Sequence, residues 1–416
     1  MDFALSDAQL EWRDHCHNFA VETMRPAALR YDRDQQVPWD VLREARARGL
    51  HGLEAVGRMA RDPDGLSAAI YAEEMHWGCA GIALAMSASW LAATAILSAG
   101  TQEQVARWLP ECYGVGDEIQ LAALAVTEPA AGSDVHSLRT SARHDRDGWV
   151  LDGNKVLISN AGVAEVNVVV ATVDRSLGAA GQATFVVPRG TPGLSFGPNL
   201  DKLGVRASPT AELSLQDCRI PEENLLGGPD RLAKRMERAQ GGNPAAASEV
   251  LTAFEATRPL VGAGAVGLTR AAYEWTADRL ADSPAGIALL RQSGTQQFLA
   301  EVATEIDAAR LLVWRAAWMG RRGLATRNGE GSMSKLKAAD VAVWATSSLM
   351  DLFGPEAARG DNPLQKFFRD AKVFQIFEGT AQIQRQVISG LQLKEARRRR
   401  VEMAGKDAGG NAGATS

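Results

Sequence analysis

The chain predicts an α–β–α protein, with an N-terminal helical domain, a central β domain and a C-terminal helical domain. Two changes of texture predict it. Apolar residues recur at spacings of three and four as far as residue 120, give way to short branched runs cut by Gly and Pro from 121 to 226, and return from 245 to 393. A length of 416 residues suits two or three such units, and 46% hydrophobic with 23% charged residues suits packed cores rather than a disordered chain.

Helices are expected over AQLEWRDHCHNFAVETM, WDVLREARARGL, GLSAAIYAEEMHW and TQEQVARWLPECY, each with an apolar stripe at helical spacing. Ser6 stands where a helix cap is needed, and Thr101 with Gln104 has the capping-box spacing. Residues 81–100 form an uncharged stretch long enough to cross a bilayer. Its Ala, Ser and Gly content favours a buried core helix, and no membrane span is expected.

Strands are expected over GWVLDG, VNVVVATVD, ATFVVP, LSFG and AELSLQDCRI, as an antiparallel sheet or barrel, with VNVVVATV buried on both faces. Helical runs follow in LTRAAYEWTADRL, FLAEVATEIDAARLLVWRAAWM and SKLKAADVAVWATSSLMDLF. The basic, then Gly/Ala-rich end from 394 to 416 reads as a disordered, solvated tail.

Composition excludes several functions. With 45 Lys+Arg against 50 Asp+Glu the net charge is −5, which disfavours nucleic-acid binding because phosphate contacts need a basic face. The four cysteines, Cys16, Cys79, Cys112 and Cys218, are scattered without a CxxC pair, so neither a disulfide scaffold nor a metal site is expected. The first residues lack a basic segment followed by an apolar core, so no secretory signal is expected, and the expected compartment is the cytoplasm. Gly262, Gly264 and Gly267 fit GxGxxG, but the preceding run is helical and contains Pro259, so the glycines are read as a close-packing helix face rather than a dinucleotide turn.

Two segments carry chemistry. LAVTEPAAGSD, at the entry to the β region, offers hydroxyl and backbone donors from Thr127, Gly132 and Ser133 to a ring or phosphate. FQIFEGTAQIQR places Glu378 beside Gly379 after two aromatics, where partial desolvation raises a carboxyl pKa towards that of a useful base.

Together these segments resemble the acyl-CoA dehydrogenase family, over residues 1 to 393. VTEPAAGSD resembles that family's flavin loop, LISNAG its second flavin strand, KLGVRASPTAELSLQDCRIPEENLLG the exit from its β domain, and RDAKVFQIFEGTAQIQR its catalytic segment. The resemblance implies a helical domain over 1–120, a central β-barrel or sandwich domain over 121–240 and a C-terminal four-helix bundle domain over 241–393. It also implies FAD as cofactor and α,β-dehydrogenation of an acyl-CoA thioester, with electrons passed to an electron-transfer flavoprotein. Glu378 would be the base, and its own backbone N–H would share the thioester oxygen with a flavin ribityl hydroxyl. Leu124, Ala125, Val126, Thr127, Ser133, Leu157, Ile158, Ser159, Thr380 and Gln382 match the cofactor positions. Ser133, Thr257, Arg258 and Gly379 match substrate positions.

In some branches of the family the base stands on another helix, at the position held here by Thr257. Glu255, two residues away, lies about 200° round a helix and faces elsewhere. Glu378 is therefore the assigned base.

The departures from the family pattern cluster. Asp282 and Ser293 stand where Arg and Gln contacts to the ADP half of FAD are expected, and Asp351 opens the other such segment. Leu157 replaces an aromatic beside the flavin, and residues 231–250 form an insertion that either reshapes the acyl pocket or is a solvated loop. These departures motivate an alternative to a homotetramer or homodimer, a heteromer with a related subunit that completes FAD binding.

Overall fold

The computed structural model describes the backbone of residues 4–241, 249–324 and 328–410, and the side chains of 4–241, 257–324 and 328–400. The first layer is α1 (Asp7–Phe19), α2 (Arg25–Asp34), α3 (Trp39–Ala47), α4 (Leu53–Ala60), α5 (Ser67–Ala99) and α6 (Gln102–Glu111). Ser6 accepts the Gln9 N–H while the Gln9 side chain returns to the Ser6 N–H, and Thr101 with Gln104 closes the same reciprocal cap on α6. α5 takes in residues 81–99 of the uncharged run, with Gly100 as its C-cap. It is long and apolar enough to cross a membrane, yet 67% of its most apolar window is buried inside the protein. The apolar surface that suggests a span is spent on packing.

The β domain holds β1 (Ala122–Ala125), β2 (Ser141–Asp145), β3 (Gly148–Ser159), β4 (Val166–Thr172), β5 (Gln182–Pro188), β6 (Leu194–Phe196) and β7 (Thr210–Ile220) in one seven-stranded sheet. Every residue of β4 is buried, which is why its branched run is continuous rather than alternating. The sheet is mixed rather than antiparallel. β1 lies parallel to β4, whereas β4–β5, β2–β3, β3–β7 and β6–β7 are antiparallel. The start of the 231–250 insertion, read as either a pocket-shaping segment or a solvated loop, belongs to a helix, α7 (Gly228–Gln240), because Leu232 and Met236 share a face that packs on the β core. Arg235 ties that helix to the Ala180 carbonyl at 3.2 Å. Residues 242–248 lie outside the described residues.

The last layer is α8 (Glu249–Ala281), α9 (Pro284–Leu290), α10 (Ser293–Arg321), α11 (Glu330–Asp351), α12 (Pro363–Ala371) and α13 (Ala381–Gly410). α8, α10, α11 and α13 are its four long helices. α13 runs on through 394–410 of the expected tail, where Glu395 and Arg398 pair one turn apart at 2.6 Å, and residues 411–416 lie outside the described residues. The GxGxxG glycines lie within α8. A Cβ on Gly267 would sit 1.9 Å from the Glu73 carbonyl, one on Gly264 would meet the His76 ring at 3.0 Å, and one on Gly262 would meet the Ser334 carbonyl at 3.2 Å. They let α5 and α11 approach, as the close-packing reading requires. Around that contact Glu73 accepts from Arg270 at 2.6 Å and from Arg310 at 3.0 Å, while Glu74 pairs with Arg270 and with His17.

Candidate active site

Glu378 lies in the short link between α12 and α13, where the chain turns through two left-handed residues, Glu378 (φ 54°) and Gly379 (φ 90°). Thr257 and Arg258, both buried on α8, reach this link from the opposite side. The Thr257 hydroxyl donates to Glu378 Oε2 at 3.0 Å, and Arg258 donates to the Ser332 hydroxyl of α11 at 2.9 Å. Lys335 of α11 donates to the Gly379 carbonyl at 2.7 Å, and Gln384 Nε2 donates to both the Glu378 and Gly379 carbonyls at 3.0 Å.

Some of the Glu378 residue surface stays accessible, but its carboxyl group is enclosed by these side chains, and that burial pushes its pKa up. The Thr257 hydrogen bond and the Arg258 and Lys335 charges act the other way. Lys335 is itself held down to about 8 by burial, with Glu378 pulling it up. A carboxyl group whose proton affinity is raised by burial is suited to accept a proton.

A largely apolar cavity of about 510 Å³ is bounded by Trp90, Thr94 and Leu97 of α5, Tyr113, and Pro259 and Leu260 of α8. Pro259 directly follows Arg258, and Gly331, another wall residue, directly precedes Ser332. The cavity wall thus includes the chain neighbours of Arg258 and Ser332, while Glu378 and Thr257 are not among its lining residues.

The cofactor positions form a second cluster. Leu124 and Ala125 end β1, and Val126 and Thr127 follow. The Val126 carbonyl accepts from Lys155 Nζ at 2.8 Å and the Thr127 carbonyl accepts from the Val156 N–H at 2.9 Å, which pins the loop to the end of β3. Glu128 completes the pin. Its carboxylate accepts from Lys155 at 2.8 Å and from the Arg139 and Thr140 N–H groups at 2.6 and 2.9 Å. On β3, Leu157 occupies an irregularity in the pairing with β7 at φ 59° and stands 62% exposed, while Ile158 turns its side chain into the β core.

The Thr127 and Ser159 hydroxyls are half-buried and make no hydrogen bond among the described residues. Two such hydroxyls flanking an exposed apolar side chain fit the polar edge and flat face of a flavin ring. Ser133 and Gln382 are exposed, and Thr380 caps α13 by accepting from the Ile383 N–H at 3.2 Å. The last helical layer is fastened to the β domain where Asp370 of α12, which also pairs with Lys366, accepts from the Val205 N–H at 2.6 Å.

Of the predicted residues, the structure gathers Thr257, Arg258, Glu378 and Gly379 at one point and Leu124 to Thr127 with Leu157 to Ser159 at another. The Glu255 side chain lies outside the described residues. Asp282, Ser293 and Asp351 are exposed, and the nearby Arg279 side chain faces Glu356 at 3.5 Å. Sequence reasoning missed Lys335, Ser332, Gln384, Glu128 and Lys155. Glu128, Lys155 and Gln384 sit inside or beside the quoted motifs, but their burial and partners come from contacts distant in sequence. Lys335 carries no signal that separates it from Lys337.

The fold is that of the flavin-dependent dehydrogenases of acyl thioesters, and the chain belongs to the acyl-CoA dehydrogenase family. Residues 6–114, 123–218 and 248–390 match the acyl-CoA dehydrogenase N-terminal, middle and C-terminal domains. It is 34% identical to the mitochondrial short-chain specific acyl-CoA dehydrogenase of Sus scrofa, over 92% of this chain and 90% of that one. Butyryl-CoA dehydrogenase from Megasphaera elsdenii superimposes with a TM-score of 0.81 at 29% identity, covering 94% of this chain and 100% of that one. A chain in the structure of the electron transferring flavoprotein of Acidaminococcus fermentans gives a TM-score of 0.82 at 30% identity, with 94% and 98% covered. The protein is accordingly an oxidoreductase acting on CH–CH groups, with FAD as its cofactor. The relatives lend the heteromeric alternative no support.

Proposed function

We propose that the protein oxidises an acyl-CoA thioester to the 2-enoyl-CoA, with Glu378 as the base, and passes the electrons to an electron-transfer flavoprotein. Glu378 takes the α-proton onto its carboxylate. Its backbone N–H, which makes no hydrogen bond among the described residues, is offered to the thioester carbonyl oxygen, where negative charge develops. Thr257 orients the carboxylate, and the apolar cavity along α5 and α8 receives the acyl chain and keeps water from it. Leu124 to Thr127, Leu157 to Ser159, Thr380 and Gln382 are the residues assigned to hold FAD. Bound FAD supplies the acceptor for the hydride that leaves the β-carbon.

The observation that carries this reading is the enclosed Glu378 carboxylate, hydrogen-bonded by Thr257 at 3.0 Å. The electron partner is supported by the likeness to the Acidaminococcus fermentans chain. The test is Glu378→Gln. Flavin content and affinity for an acyl-CoA should persist while turnover falls by about 10²–10⁴-fold, the range for a lost general base. Turnover at the parent rate in that variant would remove the assignment.

A further inference from the structure

A glutamate in the left-handed region costs about 1–2 kcal/mol, so the Glu378–Gly379 turn persists only where its surroundings hold it. Two buried side chains do so from different helices. Gln384, one turn into α13, is fully enclosed and bridges the carbonyls of both turn residues. It grips so closely that a Cβ on Gly379 would lie 2.5 Å from its Nε2. Lys335, fully enclosed in α11, holds the Gly379 carbonyl at 2.7 Å. A buried ammonium is unfavourable unless paired, and one carbonyl does not compensate it. The opposite charge that attracts it most is the Glu378 carboxylate.

We propose that Lys335 and Gln384 are positioning residues that clamp the Glu378–Gly379 turn, and that the Lys335 ammonium also keeps the Glu378 carboxyl group in its proton-accepting form. The proposal rests on Glu378 being the base.

Among the described residues, three helices bring groups towards this carboxyl. α8 contributes the Thr257 hydroxyl and the Arg258 guanidinium, α11 contributes Lys335 with Asp340 further along, and α13 contributes the neutral Gln384. Asp340 is engaged elsewhere, by Gln375 at 2.8 Å and Arg385 at 2.6 Å. Lys335, held down to about 8, still carries its charge at neutral pH. A neighbouring cation favours the carboxylate, so its removal raises the Glu378 pKa and moves the acid limb of kcat/KM to higher pH.

The two clamps therefore have separable signatures. Lys335→Met should keep flavin content and acyl-CoA affinity within threefold, lower kcat about tenfold or more, and move the acid limb up by about one pH unit, while Lys335→Arg restores the limb. Gln384→Leu should lower kcat with the limb unmoved and KM within threefold. An unmoved limb in Lys335→Met, or a limb displaced equally in Lys335→Arg, overturns the charge role. If Lys335→Met does not fold, Gln384→Leu decides, and an unchanged kcat there overturns the clamp. Activity surviving in Glu378→Gln would instead remove the base assignment, whatever the Lys335 and Gln384 variants do.

Discussion

The Thr257 hydroxyl donates to Glu378 Oε2 at 3.0 Å, joining residues 121 positions apart in the chain. That contact decides where the carboxylate points, and it stabilises the charged form against the burial that raises its pKa. A hydrogen bond to a charged group contributes about 1.5–3 kcal/mol. Thr257→Val should therefore raise the Glu378 pKa further and move the acid limb of kcat/KM up by about one pH unit or more. An unchanged pH–rate profile would show that the hydroxyl has no hold on the base.

Glu128 and Lys155 meet at 2.8 Å with side chains almost wholly withdrawn from water. Glu128, fed by Lys155 and two backbone N–H groups, is held below the usual carboxylate range, whereas burial holds Lys155 down to about 8. The two shifts disagree about the pair. The carboxylate has three donors to offset its burial while the ammonium has two acceptors, so the lysine is the weaker half. Lys155→Met, which strands Glu128, should cost about 3–5 kcal/mol in urea unfolding and lower flavin retention, because the Val126–Thr127 loop loses its pin. The double variant with Glu128→Gln should recover most of that loss. A loss below about 1 kcal/mol in the single variant would contradict the account.

His51 and His76 are buried and held down to about 4. Both are neutral when folded at neutral pH and take up protons on unfolding, with an unfolded value near 6.5. Their folded pKa lies below the unfolded one, so stability falls as pH drops from about 6.5 towards 4. Each should remove about 2 kcal/mol between pH 7 and pH 5. Denaturant titrations at the two pH values measure the slope, and His51→Gln or His76→Gln should flatten it. Equal slopes in parent and variants would contradict the assignment.

Gly267 and Gly390 are both helical and should respond oppositely to alanine. A Cβ at Gly267 would press 1.9 Å from the Glu73 carbonyl of α5, backbone that cannot swing away, whereas nothing lies within 4 Å at Gly390. Gly267→Ala should destabilise by about 3 kcal/mol or more, and Gly390→Ala should stabilise by about 0.5–1 kcal/mol. Thermal melts of the two variants check both signs, and a neutral Gly267→Ala would mean that α5 and α8 can separate without cost.

The three-layer order, the caps at Ser6 and Thr101, the buried helix over most of 81–100 and five of the seven strands were legible in the sequence, because each is a local pattern of spacing or polarity. β1, reading AALA, and β2, reading SARHD, were not, since neither carries a branched run and both are strands by virtue of their neighbours. The parallel course of β1 beside β4 and the packing of α7 on the β core are likewise set by contacts distant in sequence. The same division runs through the site. Glu378, Thr127 and Ser159 stand in motifs that can be read along the chain. That Lys335 turns inward to the Gly379 carbonyl while Lys337 turns out to Glu305 is decided by which side of α11 the C-terminal link crosses. Residue types and spacing determined the candidate chemistry; tertiary packing alone decided which buried charges surround the carboxylate, because burial and proximity are properties of the folded chain.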